Sequence, residues 1–69
     1  MDKKELESIM KKHGDTQESL ATYLGISRGC FNNKINERNE ASFTQPEIMA
    51  MKRKYDLSSE DIGRIFFAP

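Results

Sequence analysis

The chain holds one cysteine, one histidine and no tryptophan, and its eleven basic side chains are balanced by eleven acidic ones. A single cysteine cannot close an internal disulfide. One cysteine with one histidine cannot complete the four-ligand set of a structural zinc site. The staples that hold most very small domains are therefore missing, and a core built from 69 residues is marginal without them. Helix packing and association between copies remain. No apolar run approaches the roughly 20 residues of a membrane helix. The opening MDKKELESIM is charged with no apolar block behind it, so no secretion signal and a cytoplasmic location are expected. No nucleophile–base pair, metal set or phosphate loop stands out, so neither catalysis nor a cofactor nor a small-molecule ligand is expected. The formal net charge of zero argues against a strongly basic polyanion binder.

At 36% hydrophobic and 32% charged, the composition suits one small folded domain over residues 1–69 rather than a disordered chain. The charge is unevenly spread: residues 27–39 hold Arg28, Lys34 and Arg38 against Glu37 alone. A small basic face on a neutral body would bind phosphates with modest affinity and a shallow salt dependence.

Periodicity and punctuation predict five helices and no sheet. The first spans about Asp2 to Lys12, with Leu6, Ile9, Met10 and His13 as its inward stripe and Gly14 as its stop. The second covers Gln17 to Leu24, with Thr16 as its cap and Asp15 a competing one, because Asp15 and Glu18 also have capping-box spacing. Leu20, Ala21 and Leu24 face inward. Gly25 ends that helix in a left-handed turn, with Ile26 folding back as a Schellman end prefers. Ser27 caps a third helix running to about Ile35, with Phe31 and Ile35 on one face and Cys30 beside them as a small buried hydrophobe. Asn36 to Ser42 is polar and aperiodic, an exposed loop. Thr44 and Glu47 form a capping box for the fourth helix, with Pro46 in its first turn, Phe43 placed to staple onto Ile48, and Ile48, Met51 and Tyr55 buried. Lys52, Arg53 and Lys54 close it as a solvated end. Ser58 caps a fifth helix that reaches about Phe66 and ends near Pro69.

Residues 17–36, QESLATYLGISRGCFNNKIN, thus make two short helices joined at a sharp corner. The second carries apolar residues on one side and Arg28, Gly29, Asn32, Asn33 and Asn36 on the other. A helix-turn-helix presents its reading helix to the major groove in this way. Arg28 can fork onto guanine, and Asn32 and Asn33 can each pair with an adenine edge. Gly29 costs the helix about 1 kcal/mol against alanine, which leaves room for backbone to approach the groove. Gln17 opens the second helix, where free backbone N–H groups suit a phosphate. Ser27, Lys34, Asn36, Arg38 and Asn39 are the other candidate phosphate contacts, with Lys34 laying its stem along the core and lifting its charge outward. A solvated polar face with no ligand is the plainer reading of the same residues.

Gln17, Leu20-Ala21, the Leu24-Gly25-Ile26-Ser27 turn and the apolar anchor Phe31 resemble the DNA-binding domain of lambda-repressor-like proteins, which include phage repressors, Cro proteins and Xre-type regulators. The second half, FTQPEIMAMKRKYDLSSEDIGRIFFA, is similar to small Cro-like and repressor-like regulators of phages from Gram-positive bacteria, where an FT-x-x-EI start and an FFA end recur. Lys34 stands where many members place an apolar residue, which here comes one place later as Ile35; the phage-type branch often carries this Lys-apolar-Asn ending. The resemblance implies a compact five-helix all-α fold and double-stranded DNA as partner. It also implies a repressor acting as a homodimer on a pseudo-palindrome in a bacterial host cell, with Gln17 clamping phosphate and bracing Arg28. Ile65, Phe66 and Phe67 are unusually apolar for their place, and those not needed by the core are candidates for the dimer patch. The alternative is an antitoxin or antirepressor type of module whose main partner is another protein.

Overall fold

Each α-helix among the described residues begins on a side-chain oxygen that accepts a backbone N–H three residues on. The computed structural model describes residues 1–67 and contains α1 (Lys3–Lys12), α2 (Gln17–Leu24), α3 (Arg28–Ile35), α4 (Gln45–Tyr55) and α5 (Ser59–Phe66), with no strand among the described residues. The expected end near Pro69, and Ala68 before it, lie outside them. Asp2, Thr16, Ser27, Thr44 and Ser58 are the caps. Each is worth about 1 kcal/mol against alanine, a large share of the stability of so small a domain. α2, α4 and α5 carry full reciprocal boxes. In α2 the box is Thr16 with Ser19, and Asp15 is left for other work.

The core draws on all five helices. Leu6, Leu20, Phe31, Ile35, Met51 and Ile65 are the largest fully buried side chains. Phe43, just before α4, meets Phe31 edge-on at 5.5 Å between ring centroids and Phe66 at 6.0 Å. Phe43 and Ile48 are both buried, in keeping with the expected staple. The N–H of Asp2 donates to the Ile65 carbonyl at 2.6 Å, which ties the start of α1 to the end of α5.

Three sequence expectations change. His13 does not continue the inward stripe of α1: it is exposed, and its ring leans on Tyr55 at 4.9 Å. Cys30 is half-buried rather than enclosed. Lys54 is not a solvated helix end; its ammonium lies 3.6 Å from Asp15 and over the Tyr23 ring at 4.6 Å. The α3–α4 link is exposed over most of its length but includes a 3₁₀ turn at Arg38–Glu40, with Glu37, Asn39 and Glu40 at positive φ.

Two carboxylates clamp the helices. Asp15 accepts from the Tyr55 hydroxyl at 2.6 Å and the Ser19 hydroxyl at 2.8 Å. Glu47 accepts from Lys34 at 2.6 and 2.8 Å and from the Thr44 N–H at 2.9 Å. Burial pushes both carboxyls up, but these donors and the adjacent ammonium groups outweigh it and hold both below their ordinary values. A depressed carboxyl adds stability that is whole above its unfolded value and is lost as pH falls through its folded one. Stability should therefore hold at neutral pH and fall as pH drops below about 4.5, the ordinary glutamate value, and further below 3.8, that of aspartate. Thermal melts by circular dichroism from pH 7 to 2 check this. Glu47→Gln and Asp15→Asn should each flatten the fall.

Candidate nucleic-acid interface

The corner between α2 and α3 sets the site. Gly25 sits at φ 76°, where a Cβ would be strained. Its N–H donates to Thr22 O at 3.1 Å and that of Ile26 to Ala21 O at 3.0 Å, the paired bonds of a Schellman end. Ile26 then packs against the core, and Ser27 accepts the Cys30 N–H at 3.0 Å to start α3.

Burial of Phe31 and Ile35, at 0% and 1% exposure, fixes the rotation of α3 about its axis. That puts Gly29 and Asn33 on the far side of the helix, and both are exposed; Arg28 lies on the side of the buried pair but is exposed because it is the first residue of α3. Among the described residues neither Arg28 nor Asn33 has a side-chain hydrogen bond or ion pair, so the donors of both are available. A Cβ added at Gly29 would meet nothing within 4 Å. Internal packing thus gives no reason for glycine there, and the smooth spot it leaves is open to an incoming surface.

The remaining predicted residues divide. Asn32 is half-buried and held within the protein: its amide NH₂ donates to Gln17 Oε1 at 3.3 Å, and its Oδ1 accepts from Arg38 Nη1 at 3.5 Å. Gln17 therefore braces Asn32, not Arg28 as the resemblance implies. Lys34 does not lift its charge outward; it lies in the two-pronged pair with Glu47, where the side chains are 14% and 12% exposed. The carboxylate of α4 captures it because both stems lie along the core surface. The Asn36 NH₂ donates to Asn32 O at 2.9 Å, and its Oδ1 accepts from Lys3 Nζ at 2.6 Å. Ser27, Arg38 and Asn39 are exposed.

Lys3 is the residue that sequence reasoning missed. It lies 33 positions from Asn36, and only the fold brings its ammonium to the end of α3. Glu37, the one acid in that stretch, accepts from the N-terminal ammonium at 3.0 Å. Among the described residues, the cations around α3 not matched by a carboxylate are thus Arg28, Arg38 and Lys3, a different set from the one composition pointed to.

The apolar C-terminal residues separate as well. Ile65 is fully buried and belongs to the core, which removes it from the candidate dimer patch. Phe66 is half-buried against Phe43. Phe67 is 67% exposed. With Met1, Phe43, Ile48 and Phe66 it lines a groove of about 260 Å³.

Compared with family models, curated proteins and solved structures, the chain matches none. Among the described residues no helix is long and apolar enough to cross a membrane, and no three His, Cys, Asp or Glu side chains gather as a metal set.

Chemically, the exposed surface of α3 offers a guanidinium at its first residue and, on its far side, an amide at Asn33 and bare backbone at Gly29. α3 has eight residues, so it is about 12 Å long, and the major groove is about 12 Å wide.

Proposed function

We propose that this chain is a sequence-specific DNA-binding regulator of transcription of the lambda-repressor-like kind, in which α3 enters the major groove. The observation that carries this reading is the division of α3: Phe31 and Ile35 are buried, while Arg28 at its start and Gly29 and Asn33 on its far side are exposed, with no side-chain partners among the described residues. Arg28 and Asn33 read base edges; Gln17, Ser27, Arg38, Asn39 and Lys3 set the register on the phosphates. The Cα atoms span 27 Å at their longest, less than one turn of DNA at about 34 Å, a size suited to two copies on successive major grooves of one face. Phe67, with Phe66 beside it, joins the copies. The finer reading is a Cro-like phage or prophage repressor that occludes polymerase or a rival repressor inside the bacterial cell.

A different observation favours an interaction module of antitoxin or antirepressor type. Phe67 stands two-thirds exposed beside a groove that sets apolar side chains next to Lys34, Glu37 and Ser42, as a surface for another protein would.

Selection of bound duplexes from random DNA tests the two together. The DNA reading expects enrichment of a two-fold-related motif with half-sites about ten base pairs apart. Three uncompensated cations per copy also imply that log K falls against log salt with a slope between about −2 and −3 per bound chain. A pool that stays random after repeated rounds at moderate salt ends the DNA reading and leaves the interaction module.

A further inference from the structure

On the reading that α3 enters DNA, we propose that Asn32 is a positioning residue rather than a base reader: it fixes which end of the Gln17 amide is offered to the phosphate backbone. The argument is one of hydrogen-bond polarity. Arginine carries only donors. Arg38 Nη1 lies 3.5 Å from Asn32, the longest link of the chain, and an obligate donor at that place turns the Asn32 oxygen toward it. The amide NH₂ of Asn32 must then point the other way, where it donates to Gln17 Oε1 at 3.3 Å. With its oxygen engaged, Gln17 has its own NH₂ left for solvent or for an acceptor. Phosphate oxygens are such acceptors. A free glutamine would present either end with similar ease, and the oxygen end would repel phosphate.

The relay joins three segments. Gln17 opens α2, Asn32 lies on α3, and Arg38 comes from the 3₁₀ turn beyond it. Asn36 steadies the middle link from below, its NH₂ donating to the Asn32 carbonyl at 2.9 Å while Lys3 holds its oxygen at 2.6 Å. The Gln17 amide is thereby oriented through a single side chain, whose own direction Arg38 sets. Asn32 itself is half-buried with both ends of its amide engaged, whereas Asn33 next to it is exposed. The two asparagines are thus assigned different tasks.

The test compares the parent chain with Asn32→Ala, Gln17→Ala and the double variant. Alanine favours helix, so Asn32→Ala is expected to fold. In the DNA-free chain, Asn32→Ala should move the side-chain amide resonances of Gln17 to those of a solvated glutamine and leave Phe31 and Ile35 where they were. Unmoved Gln17 resonances overturn the relay. Against duplexes selected by the parent chain, Asn32→Ala should weaken binding by about tenfold on the best site and on each of its single-base variants alike. The double variant should bind no worse than Gln17→Ala alone, since the two act through one contact. Loss of preference at one base pair with the other positions unaffected makes Asn32 a base reader and overturns the proposal, as do additive losses in the double variant. A parent chain that selects no duplex removes the DNA reading and with it the role of Gln17 toward phosphate; the resonance measurement still decides the relay by itself.

Discussion

Phe31→Ala is expected to destabilise the domain by about 3–5 kcal/mol, the range for emptying a buried aromatic site. A chain of 69 residues has a total stability of the order of 5 kcal/mol, so the variant should be largely unfolded near room temperature. The size of the effect follows from position. Phe31 is fully buried and the largest side chain to be so. It meets Phe43 edge-on, and Phe43 in turn meets Phe66, so its removal undoes a row of three rings that links α3 to α5. Phe31→Leu keeps part of the volume and should cost much less. Asn33→Ala, two residues on and exposed, should stay within about 0.5 kcal/mol of the parent. Urea unfolding followed by circular dichroism measures all three. A loss below about 1 kcal/mol for Phe31→Ala would mean that α3 does not turn Phe31 into the core, and the outward placement of Gly29 and Asn33 would go with it.

What could be read from the sequence was what is local. Thr44 and Glu47, three residues apart, announce the start of α4, and both halves of that box are formed. Gly25 between Leu24 and Ile26 announces the corner, and its φ is positive. The caps Thr16, Ser27 and Ser58 lie where spacing predicts, because each acts on a backbone N–H within one turn. Side chains that meet only through the fold were not legible. Lys34 finds Glu47 across 13 positions and Gln17 finds Asn32 across 15; Lys3 finds Asn36 across 33 and Asp15 finds Tyr55 across 40. No periodicity carries that information. These same contacts decide which polar residues of α3 remain open, so the outline of the site was readable and the division of labour within it was not. Ile65, Phe66 and Phe67 show the limit from the apolar side. Three consecutive residues point three ways on a helix, and only the packing of α5 on α1 and α4 determines that Ile65 goes in and Phe67 stays out. The positive φ values at Glu37, Asn39 and Glu40 had no glycine to signal them.

Arg28→Ala is expected to weaken binding to the best selected duplex by about 10- to 100-fold, equivalent to roughly 1–3 kcal/mol for a lost two-pronged contact to one base. Binding to unrelated duplexes should fall by much less, so the preference at a single base pair should relax while the others hold. Arg28→Lys separates charge from geometry. Lysine keeps the positive charge, and therefore the salt slope, but it has no planar fork, so it should restore non-specific affinity more than specificity. Asn33→Ala should relax a second position, independently of the first. The two side chains are exposed and share no partner, which predicts additive losses, in contrast to the coupled pair Gln17 and Asn32. Anisotropy titrations against the selected site and its single-base variants give both quantities. If Arg28→Ala lowers affinity for every sequence by the same factor, Arg28 holds phosphate and the reading of bases passes to Asn33 and the bare backbone at Gly29. If neither substitution changes the ranking of duplexes, α3 is not the element in the groove. The proposed function would then fail even with the fold intact, because the division of α3 into a buried side and an outward polar side requires only that the outer side stay wet.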